Sequence, residues 1–185
     1  MTKKNRTQEK IMNSLLILME RKPLEQISMS EIAEKAQINR TTLYRHFEDK
    51  YHIIEEREIL FFSEFAASFK TNYQQSLSEH LEDRNQKLIQ TLKVIEKHRF
   101  FLKIMLGPNG EMSFNTQLQQ ILKDIFYKRE TLVKEVFTNL DITLTQVYHS
   151  QALIGIINYW ANHDDLDLVY IYNFISDYTS KILVD

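Results

Sequence analysis

The 185-residue chain contains no cysteine, two prolines and three glycines. Without thiols it forms neither a disulfide nor a thiolate metal site. So few glycines and prolines leave few forced turns, and that favours long helices. No apolar run approaches the roughly 18 residues of a membrane span. The opening MTKKNRTQEK is polar and is followed by no apolar signal segment. The expectation is a cytoplasmic protein without a membrane partner.

Catalytic signatures are missing as well. There is no Gly-rich phosphate loop, no HExxH and no Gly-x-Ser-x-Gly elbow. His80, His98, His149 and His163 lack metal-ligand spacing. The adjacent Asp164 and Asp165 read as a helix cap rather than a proton-sharing pair. Neither an enzyme nor a metal or cofactor site is expected.

What is present is 43% hydrophobic residues and a divided charge. Residues 1–50 carry ten Lys/Arg against seven Asp/Glu, a net +3, while the remainder carries a net -5. A basic end on an acidic body suits a protein that touches a polyanion with one end.

Hydrophobic periodicity is helical throughout. The spacing predicts a first helix over about 7–22, ended by Pro23, and two short helices over 28–36 and 39–46. A longer one follows from Asp49 to about Phe69. Further helices are expected near 84–97, 99–106, 115–139, 143–162 and 165–183, with Gly107-Pro108-Asn109-Gly110 as the clearest break. The fold class is all-α, with about nine helices.

The segment Ser28–Lys50, SMSEIAEKAQINRTTLYRHFEDK, is the most informative. Ser28 and Glu31 have the spacing of a capping box. Ile32, Ala33 and Ala36 form an apolar face, Asn39 suits an N-cap, and Leu43 and Phe47 point inward four apart. Two short helices with a buried seam and a polar outer face form a helix-turn-helix reader. Arg40, Thr41 and Thr42 open its second helix. Arg40 is the candidate base contact, because Arg pairs well with guanine O6 and N7. Thr41 and Thr42 suit a thymine methyl or a phosphate, and Arg45 faces either phosphate or water. Ser28, Ser30 and Asn39 supply polar groups at helix starts and are further candidate DNA contacts, since a helix N-terminus suits an anion.

Thr42-Leu-Tyr-Arg-His-Phe-x-x-Lys50, after Ser28-x-x-Glu-Ile-Ala-x-x-Ala36, resembles the DNA-binding domain of TetR-type transcriptional regulators. The likeness covers about 45 N-terminal residues. It implies a three-helix DNA-binding head over 1–48 and a helical ligand-binding and dimerisation body over 49–185. Tyr44, His46 and Lys50 fall where the family usually touches phosphates. Gln37 stands where the family usually has Gly, so a positive φ there would carry strain.

The last two helices carry large apolar groups on more than one face. The resemblance implies a homodimer through a four-helix bundle, with Val147, Gln151, Ile154, Gly155, Asn158, Tyr172, Ile175 and Tyr178 as interface candidates. It also implies a double-stranded operator as partner, and a small-molecule effector in the body. Pocket candidates are Phe100, Phe101, Met105, Phe114, Phe126, Tyr159 and Trp160. Phe101–Phe114 resembles the body of a subset of these regulators, some of which answer to a partner protein. The remaining alternative is a helical interaction module without DNA binding.

Overall fold

A computed structural model describes residues 3–69, 77–133 and 141–182. Among these residues there are nine α-helices and no strand. They are α1 (Lys3–Met19), α2 (Met29–Lys35), α3 (Arg40–Tyr44), α4 (Lys50–Ser68), α5 (Leu77–Lys97), α6 (Arg99–Met105), α7 (Met112–Val133), α8 (Ile142–Ala161) and α9 (Leu168–Ile182). A 3-10 turn, Leu24–Gln26, joins α1 to α2. None of the described helices is long and apolar enough to cross a membrane.

Local chemistry sets the helix starts. Ser28 caps α2 and Glu31 closes the capping box. Asn39 Oδ1 accepts from Thr42 N to cap α3. Asp49 caps α4 through His52 N, and Asp141 caps α8 through Thr143 and Leu144. Each satisfies backbone donors that the first helical turn leaves unpaired.

Several helix bounds differ from the periodicity. The first helix ends at Met19, not Lys22; Arg21 N instead bonds back to Leu18 O in a tighter turn. α5 begins at Leu77, seven residues before the expected start. Its early sequence, Leu77-Ser-Glu-His-Leu-Glu-Asp-Arg84, is mostly polar, and such a stretch looks like a loop when read by hydropathy. α3 stops at Tyr44, two residues short of the expected end. The expected stretch 134–139 of α7 and residue 183 of α9 lie outside the described residues.

α1 packs on α2 and α4, and α2 on α3, forming the head. α4 runs on into the body and packs on α5, while α8 packs on α6 and α7, and α9 on α5. The buried apolar residues form one cluster running from Ile11 and Leu43 in the head to Phe101, Leu118 and Trp160 in the body. Phe61 is a hub, its ring centroid 5.2 Å from Phe65, 5.7 Å from Phe101 and 5.8 Å from Phe114.

Candidate nucleic-acid interface

Helix α3 is anchored on one side and bare on the other. Leu43 and Phe47 are 0% and 1% exposed, so α3 has one rotational setting on the core. That setting leaves Arg40, Thr41, Tyr44 and Arg45 exposed, and Tyr44 keeps 55% of its surface in solvent. Among the described residues no hydrogen bond or ion pair engages these four side chains. Thr42 is half-buried. His46 is also half-buried, and its Nδ1 is shielded with no hydrogen-bond partner.

The turn before α3 holds the expected irregularity. Gln37 has φ 50, the left-handed region, and no other non-glycine among the described residues has a positive φ. The turn closes with Ile38 N donating to Ala33 O at 3.0 Å.

Three sequence-predicted contact residues are engaged inside the protein. Ser28 N and Oγ both donate to Glu31 Oε2 at 2.9 Å, so its hydroxyl is committed to the cap. Asn39 uses its side-chain oxygen for the α3 cap. Lys50 Nζ donates to the carbonyls of Glu25 at 2.7 Å and Ile27 at 2.9 Å. Ser30 is half-buried on the first turn of α2. Behind the cap, Lys22 Nζ meets Glu31 Oε1 at 2.6 Å. That bond, with the Ser28 bonds, holds the Glu31 carboxyl down to about 2.

The body's expected pocket residues separate into two groups. Phe101, Met105, Phe114 and Trp160 are buried, at most 2% exposed. Trp160 Nε1 donates to Leu166 O at 2.9 Å, and the Arg99 guanidinium lies over its indole ring. Phe100 and Tyr159 lie on the surface, with Tyr159 stacked on His163. The Phe126 side chain lies outside the described residues. Two solvent-open clefts flank the head–body seam instead. One, of about 420 Å³, includes Pro23, Tyr51, Pro108 and Met112 in its lining. The other, of about 270 Å³, includes Met19, Lys103 and Asn162. None of the six whose side chains are described lines either cleft.

Of the interface candidates, Val147, Gln151, Gly155 and Tyr178 are exposed, and Asn158, Tyr172 and Ile175 are half-buried. Ile154 is turned into the protein's own core at 7% exposure. Residues outside the interface candidates complete the bare face: Leu144, Tyr148 and Tyr159 on α8, and Val169, Tyr170 and Phe174 on α9. Tyr148 and Tyr178 join the two helices by a 3.1 Å hydroxyl–hydroxyl hydrogen bond.

The model for "Bacterial regulatory proteins, tetR family" matches residues 11–56, and that for "Transcriptional regulator C-terminal region" matches 82–181. The chain belongs to the TetR family of transcriptional regulators. Similar TetR-family and related regulators include an uncharacterised HTH-type transcriptional regulator, YxbF, of Bacillus subtilis, 29% identical over 83% of this chain. The chain spans only 39% of that relative's length. A second, the "HTH-type dhaKLM operon transcriptional activator DhaS" of Lactococcus lactis, is 25% identical over 81% of this chain and 76% of its own length. A TetR-family regulator from Streptomyces coelicolor shares the fold at TM-score 0.59 and 15% identity, over 97% of this chain and 82% of its own.

Proposed function

We propose that this TetR-family chain is a homodimeric repressor that binds a pseudo-palindromic operator and answers to an effector acting on its body. The carrying observation is the reader helix, whose core side is locked by Leu43 and Phe47 while Arg40, Thr41, Tyr44 and Arg45 face solvent unengaged. Arg40 and Thr41, at the leading end of α3, read base edges. Tyr44, Arg45, His46, Thr42 and Ser30 contact or flank phosphates, which set affinity and register.

One head buries too little surface for tight specific binding. The bare apolar face of α8 and α9 supports pairing of two chains. Two heads then meet half-sites roughly 34–36 Å apart or a multiple of it. With about eight phosphates neutralised, log K falls against log salt with a slope near -7.

A partner protein is the effector reading that one observation favours. Phe101 and Phe114 are buried and pack ring to ring at 5.3 Å, and neither lines either cleft, which supports a surface contact as the control point. Activation competes with repression because the relative DhaS is named an activator. The decisive experiment selects bound duplexes from a random pool. A two-fold symmetric consensus is expected. No enrichment, or a lone half-site with a salt slope shallower than about -3, overturns the two-headed reading.

A further inference from the structure

Lys50 sits at the first position of α4, far in sequence from the segment that leads into α2. Its ammonium donates to Glu25 O and Ile27 O, within and just after the 3-10 turn whose own bonds are accepted by Pro23 O and Leu24 O. Those carbonyls precede Ser28, whose own groups are spent on the capping box. Lys22 also holds Glu31, at 2.6 Å. Two lysines thus engage the start of α2 and the segment that leads into it. The Lys50 Nζ also lies 5.3 Å from the Tyr51 ring centroid, which occupies a further side of the ammonium.

An ammonium has three N–H donors. With two of them directed at protein carbonyls, at most one N–H is left to donate to a phosphate. Charge-assisted bonds of this kind are about twice as strong as neutral ones. They fix where α2 begins, and α3 follows α2 through the rigid Gln37 turn.

We infer that Lys50 is a positioning residue for DNA binding: it sets the α2–α3 unit against α4 from within the head, rather than neutralising a phosphate. This rests on the reading of α3 as the DNA reader. The two can still fail separately, because positioning is visible in the protein without DNA.

The test uses the full-length dimer with Lys50→Met and Lys50→Arg, in two measurements. The first is amide hydrogen exchange on the DNA-free protein. Lys50→Met should speed exchange at least fivefold over residues 25–32, and Lys50→Arg should restore most of the protection. The second is affinity for the selected duplex across a salt series. Lys50→Met should weaken binding about tenfold while the slope of log K against log salt stays at the wild-type value. A phosphate-contacting lysine behaves otherwise: its loss makes the slope shallower by about 2 per two-headed dimer, at ~0.9 for each phosphate. Unchanged exchange together with that shallower slope overturns the proposal. So does wild-type affinity in Lys50→Met. If the wild-type protein selects no duplex, the operator reading fails, and the exchange measurement alone decides whether Lys50 positions α2.

Discussion

Asn109 Nδ2 donates to the Met19 carbonyl at 2.9 Å, which ties the loop after α6 to the C-terminal end of α1. Lys103 of α6 and Glu20 lie beside this bond, 3.6 Å apart. Together they form a polar contact between the body and the head. The loop geometry is tight: a Cβ built on Gly110 would lie 2.0 Å from Met105 O, a backbone atom that does not move aside. Asn109 is therefore presented by a loop with little freedom. Asn109→Ala strands the Met19 carbonyl and should cost about 1 kcal/mol of stability. Faster amide exchange at the end of α1, read by mass spectrometry, is the expected signature. Unchanged exchange there would show that Asn109 does not hold the head.

Gln37 is strained by its own Cβ. A non-glycine residue in the left-handed region costs roughly 1 kcal/mol. Gln37→Gly relieves that cost while giving back part of it as unfolded-chain entropy. The variant should gain about 0.5 kcal/mol, measured as a higher midpoint in urea. A loss of stability would mean that the Gln37 side chain contributes something the turn needs.

This strain was legible before any coordinates, because Gln37 stands in a turn where the resembling family carries Gly. The capping box and the Asn39 and Asp49 caps were legible for a similar reason: each joins a polar side chain to a backbone amide three residues away. Partners distant in sequence were not. Lys50 to Glu25 and Ile27, Asn109 to Met19, and Arg99 to the Trp160 carbonyl all depend on packing that brings separate helices together. Periodicity also could not divide the aromatic residues of the body. Phe100 and Phe101 are neighbours in sequence, yet one is exposed and the other fully buried.

Glu58 gives the pH prediction. Burial, with the nearby Glu111 and Glu55 charges, pushes its carboxyl up to about 7. Its Oε1 is shielded and unpartnered. The folded state therefore binds this proton more tightly than the unfolded chain, whose value is 4.5. Stability from this group falls as pH rises from about 4.5 to about 7, and is level above that. Glu58→Gln removes the fall. It should be near neutral at the acid end of that window and stabilising by roughly 1 kcal/mol above it, a figure discounted for the solvent that still reaches the group. Thermal melts across the window decide; equal effects at both ends would refute the assignment.

Gly155 lies mid-helix on the bare face of α8, and a Cβ built there meets nothing within 4 Å. Glycine in a helix interior costs roughly 1 kcal/mol against alanine. The isolated chain therefore has no steric need for it. Close approach of a partner helix, in the proposed dimer, would supply one. Gly155→Arg should keep or raise the melting temperature of the monomer while shifting sedimentation from dimer to monomer. A variant that remains fully dimeric would move the interface away from this part of α8.

Arg40 and Tyr44 stand one helical turn apart on the reader, and their chemistry predicts different losses. The Arg40 guanidinium forms a fork that matches two acceptors on one base edge. Its truncation should cost about 1–3 kcal/mol at the preferred base pair and little at its variants, which flattens preference at one position of each half-site. The Tyr44 hydroxyl offers a single donor to a phosphate oxygen, and phosphates are alike in every sequence. Tyr44→Phe should weaken all duplexes by a similar factor and leave the consensus intact. Binding measured against a panel of single-base operator variants separates the two. If Arg40→Ala lowers every variant equally, Arg40 grips the backbone and base reading passes to Thr41, the other exposed side chain at the leading end of α3.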